Sequence, residues 1–236
     1  MLDLSSFKLQ RITLEIRYDN AFLIWDHAGI ITRELSRNFP ELKLKGQPQP
    51  NLQSAELGPG LSSSVLIDKA FIVSIYPTHS LEEFRVAADF FFSVVIRFLE
   101  ISDLTRIGMR LIHEKKFETR DDVAKFLASS LPMLNREGDF FSVSKGGLKD
   151  ADLSLRWEGD STGCLVRIQS QDQKVEIDIP AEFRDVNFPE VKRTAAIADI
   201  DYYAHLPTPV TKFRASAIIE NWTKVVRRDL GSFLGD

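Results

Sequence analysis

The chain has 236 residues, of which 44% are hydrophobic and 27% are charged. These proportions are typical of globular domains and exclude a disordered or collagen-like chain. The formal net charge of -4 argues against a protein that mainly neutralises phosphates, although it is compatible with a local basic patch.

Cysteine and histidine usage narrows the possible sites further. Cys164 is the only cysteine, so it has no disulfide partner within the chain. The histidines are scattered and show no zinc-site spacing, so we expect neither a metal nor a cofactor. The opening residues lack a signal-peptide pattern, which favours a reducing, cytoplasmic compartment. The most apolar segment, residues 90–99, is too short to span a bilayer and contains Arg97, so we expect no membrane association.

Alternating and helical apolar spacings predict the elements of the first half. In KLQRITLEIRY, apolar side chains alternate with charged ones, as in a half-buried strand. Ser80 and Glu83 form a capping box, which is the clearest helix start in the sequence. The predicted elements are a strand over 8–18, a helix over 21–38, a Gly/Pro-rich stretch over 41–64 with one edge strand near 52–57, a hairpin over 64–68 and 71–76, a helix over 81–101 and a strand over 105–114.

The second half predicts short strands followed by a long helix. Thr208 is a suitable N-cap and Pro209 a suitable first residue for that last helix. Residues 170–173 are typical of a hairpin loop. The predicted elements are a helix over 120–131, a loop over 132–150, strands over 153–157, 164–169 and 175–179, an irregular stretch over 180–193, a strand over 195–203 and the C-terminal helix.

This order of elements favours an α+β fold. Tight turns favour antiparallel pairing, and the helices are too few for an alternating parallel sheet. We therefore predict a largely antiparallel sheet with two or three long helices packed on one face. The chain is interpreted as one unit, 1–236. A recurring strand-then-helix pattern leaves open two related halves, 1–118 and 150–236, joined by a helix and a loop.

The strand TRIGMRLIHE contains the first candidate ligand-binding residues. Arg106, Gly108 and Arg110 share one face, and a glycine inside a strand weakens it unless a backbone or ligand must come close. Guanidinium groups bind carboxylates and phosphates through two parallel hydrogen bonds. In the alternative interpretation, both arginines pair with acidic neighbours or lie in solvent.

The strand IADIDYYAH contains the second pair of candidates. Asp199 and Asp201 share a face and are suited to general base catalysis or to binding a metal, but no third ligand stands at a telling spacing. In the alternative interpretation, the two strands are neighbours and the aspartates and arginines satisfy each other.

The C-terminal helix carries a basic patch of Lys224, Arg227 and Arg228. Such a patch suits nucleic acid or an acidic protein partner. The net acidity of the chain argues against nucleic acid, and a solvated helix face is the simpler interpretation.

Three segments together resemble a sporadically distributed family of uncharacterised bacterial proteins of about this length. They are ITLEIRY, RIGMRLIHE and IADIDYY, and the central one is similar to the family's R-I-G-L-R strand. Met109, Leu111, His113 and Glu114 depart from or extend that pattern. The resemblance implies a bacterial source and one evolutionary unit, and it implies no activity.

These features leave three hypotheses for function. The first is a non-enzymatic binding or regulatory protein of the bacterial cytoplasm that presents a polar sheet face, or the stretches 41–64 and 132–150, to a protein partner. The second is an enzyme that binds a phosphate or carboxylate ligand through the Arg/Asp cluster. The third is a nucleic-acid-binding accessory protein. The identity of the partner and the oligomeric state stay open at this stage.

Overall fold

The computed structural model describes residues 7–49, 52–76, 78–130, 152–175, 191–205 and 207–234. Strands and helices alternate irregularly along these residues. In chain order they are β1 (Lys8–Arg17), α1 (Ile24–Asn38), β2 (Lys43–Gln49), β3 (Leu52–Gly58), β4 (Leu61–Leu66), β5 (Lys69–Ile75), α2 (Leu81–Phe98), β6 (Asp103–Leu104), β7 (Arg106–Phe117), α3 (Arg120–Ser130), β8 (Asp152–Glu158), β9 (Thr162–Val175), β10 (Val191–Ala204), β11 (Thr208–Pro209) and α4 (Ala215–Leu234).

Nine of these strands form one antiparallel sheet. Its order is β2-β3-β4-β5-β1-β7-β10-β9-β8, while β6 and β11 pair separately. The predicted α+β fold with a largely antiparallel sheet is therefore confirmed.

The boundary between β1 and β7 lies next to the centre of the sheet, since β1 is the fifth of the nine strands. On one side of it, β1, α1, the meander β2–β5 and α2 follow in order; on the other side, β7, α3, the strands β8–β10 and α4 follow similarly. β7 pairs with both β1 and β10, so a division at residue 118 separates β7 from its second neighbour. The proposed subdivision into 1–118 and 150–236 stays a prediction.

The helices cover one face of the sheet and enclose the core there. Side chains of alternate parity on the central strands, such as Leu14 and Met109, are fully buried beneath them. The capping box of Ser80 and Glu83 starts α2 as predicted, and α2 contributes the largest core residues. These are Phe84, Phe91 and Phe92, which are at most 1% exposed.

Three sequence predictions about local structure are wrong. The stretch 41–64 contains one further strand, β2, so the predicted edge strand β3 lies between β2 and β4; β2 is the edge strand, and its register shift accommodates Pro48. Residues 170–173 form no hairpin, because β9 continues through them in register with β10. Thr208 and Pro209 form β11 instead of starting a helix; α4 begins at Ala215, where Asp89 of α2 accepts a hydrogen bond from the Ser216 amide at 2.9 Å.

Some predictions fall where the structure makes no statement. The predicted loop over 132–150, and most of the predicted strand over 175–179 and stretch over 180–193, lie outside the described residues.

Candidate functional site

The face of the sheet turned away from the helices is called the open face here. The side chains of its central strands are mostly polar. β7 and β10 are neighbours in antiparallel register, with Arg110 opposite Asp201 and Gly108 opposite Tyr203. Because residues of one parity share a face, the structure brings the four predicted charged residues together on the open face.

Asp199 is the most completely paired of these residues. Arg110 donates two parallel hydrogen bonds to it, Nε to Oδ1 at 2.7 Å and Nη2 to Oδ2 at 2.6 Å. Arg167 of β9 approaches the same carboxylate at 3.6 Å. The hydrogen bonds that Arg110 donates to Asp199 raise the pKa of Arg110. This buried carboxylate is therefore neutralised from both sides.

Arg106 joins β1 to β10. Its Nη1 donates to Glu15 Oε1 at 2.7 Å, and its Nη2 donates to Asp201 Oδ2 at 3.3 Å. Burial is the main cause that raises the pKa of Asp201, and Arg106 and Arg110 oppose that shift. Together these contacts form what we call the ion-pair row, made of Glu15, Arg106, Arg110, Arg167, Asp199 and Asp201.

Two glycines make room for this packing. A Cβ at Gly108 would lie 2.7 Å from Arg106 Nη1, so the absent side chain lets the guanidinium lie flat on the strand. The Tyr203 ring occupies the corresponding space at Gly163, where a Cβ would lie 2.4 Å from the ring. Arg106 stacks over that ring with its Cζ 5.0 Å from the centroid. Gly108 therefore makes room for the side chain of Arg106.

This geometry bears on the two interpretations of the arginines and aspartates. An enzyme that bound an anion here would need guanidinium groups free to receive it. The structure instead closes Arg106 and Arg110 into direct ion pairs with Asp201 and Asp199. The two strands are neighbours and their arginines and aspartates pair with each other, as the second interpretation expects, while a ligand-binding role for these residues stays a prediction.

A polar depression lies beside the ion-pair row, where β5, β1, β7, β10 and β9 meet. Its volume is about 540 Å³. The lining is made of three glutamines, three isoleucines and five charged residues, one of which is Asp199. These residues are Gln10, Arg11, Ile75, Arg110, Ile112, Glu114, Lys116, Gln169, Gln171, Ile197 and Asp199. We call this feature the Glu114 depression.

Glu114 is the unusual residue of this depression. It is only 6% exposed, with Lys8 and Ile197 as its cross-strand neighbours. Its Oε1 atom is buried and has no hydrogen-bond partner among the described residues. Buried carboxylates are normally paired or hydrogen-bonded, so Glu114 is an exception that calls for a physical explanation.

The predicted basic patch lies on the solvent side of α4. Lys224 donates to Glu220 of the same helix at 2.8 Å, and Glu220 also binds Arg85 of α2. Arg227 and Arg228 are exposed. The positive charge of Arg227 acts inward on His113 of β7, whose pKa burial and Arg227 together lower to about 4. Part of the patch is thus engaged within the chain.

Sequence reasoning missed the residues that complete these features. Glu15 and Arg167 were not singled out, because their partners lie on strands distant in sequence, and Glu114 was named only for its place in the family pattern. Strand parity was the available signal for Glu114, since it shares the face of Arg106 and Arg110. The depression that it lines also takes residues from β1, β5, β9 and β10, and one strand alone does not reveal this.

Comparisons with protein-family models and with curated proteins find no match. No protein-family model matches the chain, and no curated protein is significantly similar to it.

Among the described residues, no helix has the length and apolar character of a membrane span. The same residues contain no group of three or more side chains arranged to hold a metal ion.

Proposed function

We propose that this chain is a non-enzymatic binding or regulatory protein of the bacterial cytoplasm whose open face receives a protein partner. The observation that carries the proposal is a row of apolar side chains on β5, here called the β5 strip. Phe71, Val73 and Ile75 lie opposite the open-face residues of β1, and Ile75 is 46% exposed.

The β5 strip and the residues around it have a composition typical of a protein interface. Apolar centres edged by polar and charged groups are typical of such surfaces, and arginine is enriched in them. The ion-pair row borders the strip, and its internal pairing leaves it nearly neutral. Docking a partner against it therefore costs less desolvation than docking against isolated charges.

The proposal can be tested by placing one charge on the strip. Val73→Glu would introduce a carboxylate at the centre of the β5 strip, whose cross-strand neighbours are Thr13 and Ser62. Val86→Glu is the matched control, because Val86 is 63% exposed and lies on α2, on the helix-covered side of the sheet. Tagged versions of the chain are used for affinity purification from native bacterial lysate, followed by quantitative mass spectrometry.

We expect a partner that is captured by the wild type and by Val86→Glu and lost with Val73→Glu. The same partner, once identified, should bind the purified wild-type chain directly. Capture of no protein above an untagged background, or equal capture by both variants, would contradict the proposal.

A further inference from the structure

The charges that line the Glu114 depression do not balance within the described part of the chain. Arg110 and Asp199 neutralise each other through two hydrogen bonds. Glu114 keeps an unpartnered, buried Oε1 atom. Burying a carboxylate without a donor is costly, so this arrangement is best explained by a donor that arrives from outside.

Two cations of the same depression are also unpaired. Arg11 of β1 and Lys116 of β7 line it and are exposed, and neither forms an ion pair within the described residues. Their cationic groups are thus available to a ligand. Removing the Arg110–Asp199 pair from the count leaves one carboxylate and two cations in the depression.

The complement of one carboxylate and two cations is a molecule with one ammonium group and two carboxylates. We infer that the Glu114 depression binds an acidic amino acid, with the ammonium group at Glu114 and the carboxylates at Arg11 and Lys116. Ile112 and Ile197 provide apolar contacts for the carbon chain. The glutamines at 10, 169 and 171 supply neutral donors and acceptors around it.

The size and character of the depression fit this class of ligand. Small-molecule sites commonly enclose roughly 300–1,000 Å³ and place a few polar groups among apolar ones. The depression has about 540 Å³ and both kinds of lining. This site goes beyond the proposed protein interface, because it takes a small molecule and its three charged contacts lie outside the β5 strip, with which it shares only Ile75.

Isothermal titration calorimetry of the full chain tests the inference. The probes are L-glutamate and L-aspartate, each compared with the dicarboxylate that lacks the ammonium group, glutarate and succinate. We expect at least one amino acid to bind at least roughly tenfold more tightly than its dicarboxylate counterpart, since a charge-assisted hydrogen bond is lost. Glu114→Gln should abolish that preference, whereas the exposed control Glu118→Gln should retain it.

Thermal unfolding of the same variants separates ligand binding from a structural role. Without ligand, Glu114→Gln should melt at the same temperature as the wild type or a few degrees higher, because it removes an unpaired buried charge. Arg11→Gln combined with Lys116→Gln should weaken binding of amino acid and dicarboxylate alike.

Three outcomes would overturn the inference. One is no binding of either amino acid up to about 10 mM, which corresponds to negligible affinity. Another is equal binding of amino acid and dicarboxylate by the wild type, which would indicate a nonspecific cationic surface. The third is a clear fall in the melting temperature of Glu114→Gln, which would show that the carboxylate is paired within the chain.

Discussion

Asp199 and Glu114 lie on neighbouring strands of the same sheet face and are buried to the same degree, 7% and 6% exposed. Asp199 accepts hydrogen bonds from Arg110 and is approached by Arg167, whereas Oε1 of Glu114 has no partner among the described residues. Burial alone therefore does not separate a structural carboxylate from a candidate binding carboxylate. The presence or absence of a donor within the chain does.

The difference also assigns separate roles to the two regions. The ion-pair row holds β1, β7, β9 and β10 together through side chains. The Glu114 depression keeps its hydrogen-bonding capacity for a ligand. Four predictions test this division, beginning with the largest expected effect.

The largest effect is expected from removing the fully paired carboxylate. Asp199→Ala would leave Arg110 and Arg167 without their shared partner. Breaking a buried ion pair typically costs 3–5 kcal/mol, and since both arginines are half exposed we expect about 3 kcal/mol of unfolding free energy to be lost. Urea denaturation measures this, with the exposed Asp152→Ala as the control. A loss below about 1 kcal/mol would mean that Asp199, like Glu114, is not needed for the stability of the fold.

Lowering the pH tests the stability of the helix-covered face separately from ligand binding on the open face. His113 precedes Glu114 but faces the helices, and burial followed by Arg227 lowers its pKa to about 4. A folded-state pKa below the unfolded value near 6.5 means that stability is complete above pH 6.5 and falls as the pH drops towards 4. The loss should be on the order of 2–3 kcal/mol.

His113→Gln should flatten this pH dependence of the unfolding free energy. The depression on the other face should keep its ligand preference in this variant at pH 7. If the wild type and His113→Gln lose stability in parallel between pH 6.5 and 4, the titration belongs to other groups.

Overpacking at Gly163 tests the packing that supports the ion-pair row. The Tyr203 ring lies where a Cβ would be, so Gly163→Ala must displace the ring from Arg106 and from Glu158, which its hydroxyl contacts at 3.1 Å. We expect about 2 kcal/mol of destabilisation, as is usual for overpacking. Gly159→Ala is the control, because a Cβ at Gly159 would lie 3.5 Å from the nearest atom, which is an ordinary van der Waals contact. Equal stabilities of the two variants would contradict the predicted crowding.

The smallest effect is expected at the other aspartate of the row. Asp201 is less buried than Asp199, and its partner Arg106 also binds Glu15. Asp201→Asn should therefore cost only about 1 kcal/mol in urea denaturation. A cost equal to that of Asp199→Ala would mean that the row acts as one cooperative unit. A double-mutant cycle of Asp201→Asn with Arg106→Gln measures that coupling directly.

Much of the fold follows from local sequence patterns. Alternation predicts β1 and β7 to within a few residues, and the Ser80–Glu83 capping box predicts the start of α2 at Leu81. These signals are local, since each depends on residues within one or two turns or along one strand. The predicted pairing of arginines with aspartates required only that β7 and β10 be neighbours.

The errors share a different cause, which is long-range pairing. Residues 170–173 have turn-like composition, yet β10 pairs with them in register, so tertiary contacts override the local preference. Thr208 and Pro209 have the pattern of a helix start, but they pair with β6, and the amide of Ser216 in α4 donates a hydrogen bond to Asp89 instead. The Glu114 depression was missed for the same reason, because five strands contribute to it.

The position of β10 has a consequence for synthesis of the protein. β10 is the last strand of the large sheet to leave the ribosome, yet it occupies an interior place between β7 and β9. Until residues 191–204 emerge, the nascent chain therefore exposes unpaired backbone edges on β7 and β9. Such edges invite pairing with other chains, so the interval before residue 204 is synthesised is the stage at which this protein is most prone to aggregation.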